Sequence, residues 1–232
     1  MMKKILSAIL MIMLLTCGTV FAKENSPEWI KNLSAAKNAN QIFVVAGIGQ
    51  TTAWISMHEK NSAGNWEQIM STPGFIGKNG LEKTREGDGK TPVGIFHFNK
   101  AFGIEKNPGF AIDYVKVDEN LYWSGDANYK YNQLVDIRDY PNLNKADSEH
   151  LIEINPNYKY ALNISYNEEG IAGKGSAIFL HCFDKFKPYT GGCVAIPEDK
   201  MLFVMQNVKK DCVVVIDYLK NLSPETFSEW KL

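Results

Sequence analysis

Two side chains in the stretch Gly175–Pro197, GSAIFLHCFDKFKPYTGGCVAIP, can do covalent chemistry together: His181 and Cys193. A thiol becomes a strong nucleophile only as a thiolate, and an imidazole within hydrogen-bond reach can take its proton. Ser176–His181 is a short apolar run bounded by glycine, the pattern of a buried strand, on which Ala177, Phe179 and His181 share a face. Thr190-Gly191-Gly192 then delivers the chain to Cys193, and Val194-Ala195-Ile196 resumes an extended apolar run. The spacing predicts that a His at one strand end and a Cys just past a double glycine meet across a short connection. Attack on a carbonyl makes an oxyanion that needs N–H donors. Lacking Cβ atoms, Gly191 and Gly192 let the backbone turn sharply and a substrate approach closely, so the N–H groups of Gly192 and Cys193 are the expected donors. The competing reading is an inert core thiol and a strand His with a satisfied ring.

His181 followed by Thr190-Gly191-Gly192-Cys193 resembles the His…S/T-x-G-C hallmark of the L,D-transpeptidase (YkuD-like) catalytic domain. The resemblance implies that Cys193 attacks a peptidoglycan stem peptide with His181 as base. It also implies that the backbone carbonyl of Cys182 orients the imidazole, that Gly192 supplies an oxyanion N–H, and that Thr190 and Gly191 meet the substrate. Upstream, Gly77-Lys78-Asn79-Gly80, Lys83-Thr84-Arg85 and Gly87-Asp88-Gly89-Lys90-Thr91-Pro92 resemble the family's structural motif before a core strand. Trp123, Asp126, Tyr131 and Asn132 resemble a W-x-x-D…Y-N element, which puts Tyr131 and Asn132 near the substrate. There are two departures: the His-to-Cys connection is shorter than in many members, and Ala195 stands where an Arg or Asn is frequent. The implied fold is mainly β with a few short helices, a β-sandwich or barrel-like catalytic domain. A carbapenem is expected to acylate Cys193. Water in place of an amine acceptor would make the same site an L,D-carboxypeptidase, and the fold without the chemistry would be a wall-binding module.

The elements that must hold these residues fit one domain. At 232 residues, 45% hydrophobic and 22% charged, the chain can bury one sizeable core. A net charge of −1 argues against nucleic acid as a partner. Lys3 and Lys4 before an apolar stretch, then Val20-Phe21-Ala22 before polar residues, read as a secretory signal cleaved after Ala22, which places the protein outside the cytoplasm. An uncleaved anchor and lipidation at Cys17 are the rival readings. Export leaves Cys182, Cys193 and Cys212, an odd number; three reduced thiols are expected, with a Cys182–Cys212 disulfide the alternative that spares the nucleophile. The oligomeric state is unknown from sequence.

The division expected is 1–22 signal, 23–40 N-terminal helical segment, 41–218 catalytic domain and 219–232 short terminal helix. Ser26-Pro27-Glu28 reads as a helix start with Ser26 as N-cap and Pro27 at the first helical position. Strands are predicted over Gln41–Ala46 and Thr52–Lys60, with a hairpin through Asn61–Asn65 to Trp66–Met70, and Thr72–Phe98 as a long ordered loop. In that loop Arg85 and Asp88 are expected to pair or to face substrate. Its GDGKT lacks the spacing of a phosphate loop. Tyr158–Tyr166 alternates like a strand. After Pro197, Met201, Val204, Met205 and Val208 fall on one helical face, with Lys209 and Lys210 near its end; Cys212–Tyr218 reads as a late core strand and Ser223-Pro224 as a helix start. His58, His97, His150 and His181 have no partners at ligand spacing, and Cys182 and His181 point apart as strand neighbours, so neither metal nor cofactor is expected.

Overall fold

The computed structural model describes residues 24–109, 112–183 and 187–230. The stretch read as an export signal lies outside the described residues. Among the described residues thirteen strands dominate: β1 (Glu24–Asn25), β2 (Gln41–Gly47), β3 (Thr52–Lys60), β4 (Trp66–Phe75), β5 (Gly94–Gly103), β6 (Tyr114–Lys116), β7 (Leu121–Trp123), β8 (Leu134–Asp136), β9 (Glu149–His150), β10 (Ala161–Ile164), β11 (Phe179–Cys182), β12 (Val194–Ile196) and β13 (Val213–Tyr218). The helices are short: α1 (Glu28–Asn32), α2 (Glu198–Asn207), α3 (Leu219–Leu222) and α4 (Pro224–Glu229). This is the mainly β class expected. Among the described residues no helix is long and apolar enough to cross a membrane.

The main sheet runs β4-β12-β11-β10-β5-β13-β2-β3, and β3 pairs again with β4, so the order closes into a ring. Closure leaves few unpaired edges. Inside the ring Phe43, Val45, Ile55, Leu162, Leu180, Val194, Ile196 and Ile216 pack with Met201, Val204 and Met205 of α2, the apolar face read from the sequence. Every residue of β2 is buried, because its other face (Ile42, Val44, Ala46) packs under α1, the Ser34–Lys37 turn and α3. A third cluster lies outside the ring, where Phe102, Trp123, Tyr158, Phe179 and Cys193 pack together. Over this face sits a small antiparallel sheet, β8-β7-β9. The two expected reactive residues are on this side.

Several local expectations are corrected. Pro27, not Ser26, is the α1 N-cap, with no side-chain cap; the Ser26 hydroxyl bonds His58 Nδ1 at 2.8 Å instead. Thr72–Phe75 belongs to β4, and the loop runs only from 76 to 93, because Thr52–Phe75 continues as a hairpin to the Thr52↔Phe75 pair. Tyr158 lies in a 3-10 turn, Asn157–Lys159, and the strand begins at Ala161. Lys209 and Lys210 fall past the end of α2, whose C-cap is Val208; Lys209 pairs with Glu59 at 2.9 Å. Arg85 does not pair with Asp88 through its guanidinium. The Asp88 carboxylate instead accepts from Lys83 Nζ and from the backbone N–H groups of Thr84, Arg85 and Lys90.

Candidate active site

The strands β11 and β12 run parallel, with His181 opposite Ala195. Alternation along each strand puts Phe179 and His181 on the outer face with Ala195, and Cys193, two residues before Ala195, on that same face. Leu180, Cys182, Val194 and Ile196 take the inner face and anchor both strands in the ring's core. His181 and Cys193 thus line one cavity of about 650 Å³, with Trp123, Glu149, Tyr158, Ala177, Thr190 and Gly191 among its other walls.

Each reactive group is held by the backbone. His181 Nδ1 lies 2.8 Å from the carbonyl oxygen of Cys182. A carbonyl can only accept, so Nδ1 carries the proton and Nε2 keeps the lone pair, the form a general base requires. This is the geometry expected of the Cys182 carbonyl. The Cys193 thiol donates to the Ala177 carbonyl at 3.1 Å and accepts from the Phe179 N–H at 3.4 Å. Burial, reinforced by the charge of Glu149, pushes this thiol up to about 12, against the opposing pull of the Phe179 N–H, Lys83 and Tyr158. The sulfur therefore rests as a neutral thiol. Cys182, Cys193 and Cys212 are all free thiols.

Ala177 has φ +54°, a left-handed conformation that costs a residue with a Cβ about 1–2 kcal/mol. Asn132 enforces it. Its side-chain oxygen accepts from Ala177 N–H at 3.0 Å and from the Trp123 indole at 2.9 Å, while its amide donates to the carbonyls of Tyr166 and Asn167. The Tyr131 hydroxyl donates to Glu86 and accepts from Gly175 N–H. Neither Tyr131 nor Asn132 is among the cavity-lining residues. The expectation of substrate contact is corrected: their polar groups are taken up in shaping the wall behind Cys193.

A second correction concerns the oxyanion donors. The Gly192 N–H is engaged by Thr190 Oγ1 at 3.1 Å, and the same hydroxyl donates to the Cys193 carbonyl at 2.7 Å. Thr190 therefore staples the turn that carries Cys193, and its hydroxyl is taken up there. Thr91 adds a second staple, donating to the Cys193 carbonyl at 3.2 Å while accepting from Gly77 N–H at 2.9 Å. Gly192 is required on two grounds: its φ of +147° lies in the glycine region, and a Cβ there would come within 2.8 Å of the Lys90 carbonyl oxygen. A Cβ on Gly191, by contrast, would meet nothing within 4 Å, so that residue leaves the cavity mouth open.

Two residues that the sequence reading did not single out stand in the cavity wall. The Tyr158 hydroxyl donates to Glu149 Oε2 at 2.7 Å, and its ring, packed in the same cluster as Cys193, lies 5.5 Å from that of His181, edge to face. Burial pushes the Glu149 carboxyl up to about 7, with Glu86 adding and Tyr158 opposing. Burial, then the charge of Glu149, holds the Tyr158 phenol well above its ordinary value. No spacing signal marks either residue; only their position in the cavity does.

Comparison with known proteins completes the description. No curated protein sequence matches the chain. Among solved structures, the helical cell shape determining protein Pgp2 from Campylobacter jejuni is 14% identical, covering 77% of this chain and 48% of its own, with a TM-score of 0.41. A mutant Enterococcus faecium L,D-transpeptidase is also 14% identical, covering 78% of this chain and 51% of its own, with a TM-score of 0.36. The chain spans about half the length of each. A sequence profile of the L,D-transpeptidase catalytic domain, YkuD, matches residues 48–216, which include the ring strands from β3 to β12, most of β13, the Thr190–Cys193 turn and His181. Well over half of the sequence is thereby accounted for, and the chain belongs to the YkuD family of L,D-transpeptidase catalytic domains.

Proposed function

We propose that the protein is a cysteine acyltransferase of the bacterial cell envelope, an L,D-transpeptidase acting on peptidoglycan stem peptides. The observation that carries this reading is the shared cavity: a thiol and an imidazole on one sheet face, with the imidazole fixed by the Cys182 carbonyl as the Nδ1–H tautomer. His181 Nε2 takes the Cys193 proton as the sulfur attacks the carbonyl that joins an L-centre to the terminal D-residue. The C–N bond then breaks, and His181 returns the proton to the departing amine, leaving a thioester. An acceptor amine from a second stem attacks the thioester, gives its proton to His181, and expels the sulfur. Family membership supports the reaction class, and the Cys193 N–H is the proposed oxyanion donor now that the Gly192 N–H is engaged.

Incubation with purified tetrapeptide muropeptides tests the reading. Cross-linked dimers are the expected product. Tripeptides alone identify the same acyl-enzyme resolved by water, a carboxypeptidase. Neither product, together with no mass added at Cys193, rejects acyl transfer in favour of a non-catalytic wall-binding module.

The base is tested separately. His181→Gln is expected to lower turnover by about 10²–10⁴-fold, the range for loss of a positioned general base. The thermal midpoint of the variant, read in parallel, is expected to stay close to wild type.

A further inference from the structure

The turn that carries Cys193 rests on the 76–93 loop, and its two ends are joined to that loop in different ways. At Thr190 the join is backbone to backbone: the Thr190 N–H donates to the Ile76 carbonyl at 2.9 Å, and the Lys78 N–H donates to the Thr190 carbonyl at 3.0 Å. In the middle the contact is steric, since a Cβ on Gly192 would run into the Lys90 carbonyl oxygen. At Cys193 a side chain makes the join. The Thr91 hydroxyl donates to the Cys193 carbonyl at 3.2 Å and accepts from Gly77 N–H at 2.9 Å.

Thr91 is itself pinned within the loop. It is fully buried, its N–H donates to the Gly80 carbonyl at 2.9 Å, and its carbonyl accepts from Lys83 N–H at 3.3 Å. A hydroxyl has one proton, and Thr91 commits it to Cys193. Thr190 meets the same carbonyl from inside the turn while holding the Gly192 N–H. The Gly192 N–H and the Cys193 carbonyl belong to the peptide units on either side of the one that carries the Cys193 N–H. Peptide units are rigid plates, so pinning both neighbours leaves the middle one little freedom to turn. The sulfur is held from elsewhere, by the Ala177 carbonyl and the Phe179 N–H, neither of which belongs to the loop.

We propose that Thr91 is a positioning residue through which the 76–93 loop sets the direction of the Cys193 N–H, the oxyanion donor, without setting the sulfur. The inference rests on Cys193 being the nucleophile of the acyl-transfer reading. Oxyanion donors act by being aimed in advance. A misaimed amide therefore slows any step in which a carbonyl oxygen takes up negative charge, and leaves alone a step in which none does.

Two small reagents separate these cases without any peptidoglycan. The sulfur attacks the carbonyl of p-nitrophenyl acetate through an oxyanion; the S–C bond forms, the ester C–O bond breaks, nitrophenolate leaves, and the thiol proton passes to His181. With iodoacetamide the S–C bond forms at the methylene carbon as iodide leaves, and no oxyanion arises. Nitrophenolate release, corrected with Cys193→Ala, reads the first; peptide mass spectrometry of Cys193 reads the second. Thr91→Val, which exchanges the hydroxyl for a methyl group, is expected to lower acetylation by about 10–100-fold, as for a displaced donor. Alkylation should stay within about twofold of wild type, because its transition state needs no such donor. Thr91→Ser keeps the hydroxyl and should restore acetylation. A fall of the same size in both rates would mark a merely structural role, and no fall in acetylation would remove the role; either overturns the proposal. Should Thr91→Val fail to fold, Thr91→Ala deletes the hydroxyl without setting a methyl group against the Gly77 N–H. The same split is expected there, and its absence overturns the proposal. Wild type that releases no more nitrophenolate than Cys193→Ala rejects the nucleophile and this inference together. No muropeptide product from wild type with the split intact rejects the peptidoglycan reading alone. Muropeptide turnover without the split rejects this inference alone.

Discussion

Cys193→Ala should abolish acyl-enzyme formation. The expected loss of muropeptide turnover is roughly a thousandfold or more, because the proposed covalent intermediate forms on this sulfur. A carbapenem incubated with wild type should add its mass at Cys193, and the variant should show no adduct by intact mass. An adduct on the variant would move the nucleophile elsewhere and end the assignment. The fold should survive the change. What is removed is one sulfur with a donor bond to Ala177 and an acceptor bond from Phe179, together worth about 1 kcal/mol net. In a domain of this size that is a drop in thermal midpoint of about 2–4 °C. Cys193→Ser sharpens the comparison, because a hydroxyl can keep both bonds yet is a far poorer nucleophile. It should equal wild type in stability and the Ala variant in chemistry.

The largest effect on stability is expected at Asp88, remote from the reacting atoms. Lys83 and Asp88 have side chains only 2% and 7% exposed, and the carboxylate also takes three backbone N–H groups. Asp88→Ala leaves a buried ammonium without its counter-charge, which costs about 3–5 kcal/mol. Urea unfolding checks this, and a change below about 1 kcal/mol would show that the pair is effectively solvated. Turnover should fall as well, since the same loop carries Thr91, whose hydroxyl staples the Cys193 carbonyl. The pH dependence has a definite sign. Burial alone would raise the Asp88 carboxyl, but Lys83 and the three amides outweigh it and hold the group well below the usual carboxylate range. A carboxyl lowered in the folded state contributes its full stability above the unfolded value near about 4, and loses it as pH falls below that. The gap between wild type and Asp88→Asn should therefore be full at neutral pH and shrink on acidification below about pH 4.

Much of this was legible in the chain itself, for physical reasons. The strands with alternating or continuous apolar runs, β2, β3, β12 and β13, stand where the pattern puts them, and His181 and Cys193 share a cavity because two-residue periodicity carries face information directly. What the chain hides is partnership at long range. Thr91 and Cys193, for instance, meet across 102 residues. The alternation of Tyr158–Tyr166 suggests a strand through Tyr158, yet a 3-10 turn there packs its ring in one cluster with Cys193, so a residue of the cavity wall looks like ordinary strand. The resemblance puts Tyr131 and Asn132 near the substrate, whereas packing turns them inward and gives every bond of the Asn132 amide to the protein.

The position of β13 constrains how the molecule can assemble. It is formed late in the chain, yet it sits between β2 and β5, parallel to the first over six registered pairs and antiparallel to the second over four. Without it β2-β3 and β5-β10 are joined only the long way round, through β4, β12 and β11, and the ring stays open between β2 and β5. Cys193 precedes that keystone strand in the chain, so the turn that holds its thiol is made before the segment that closes the ring.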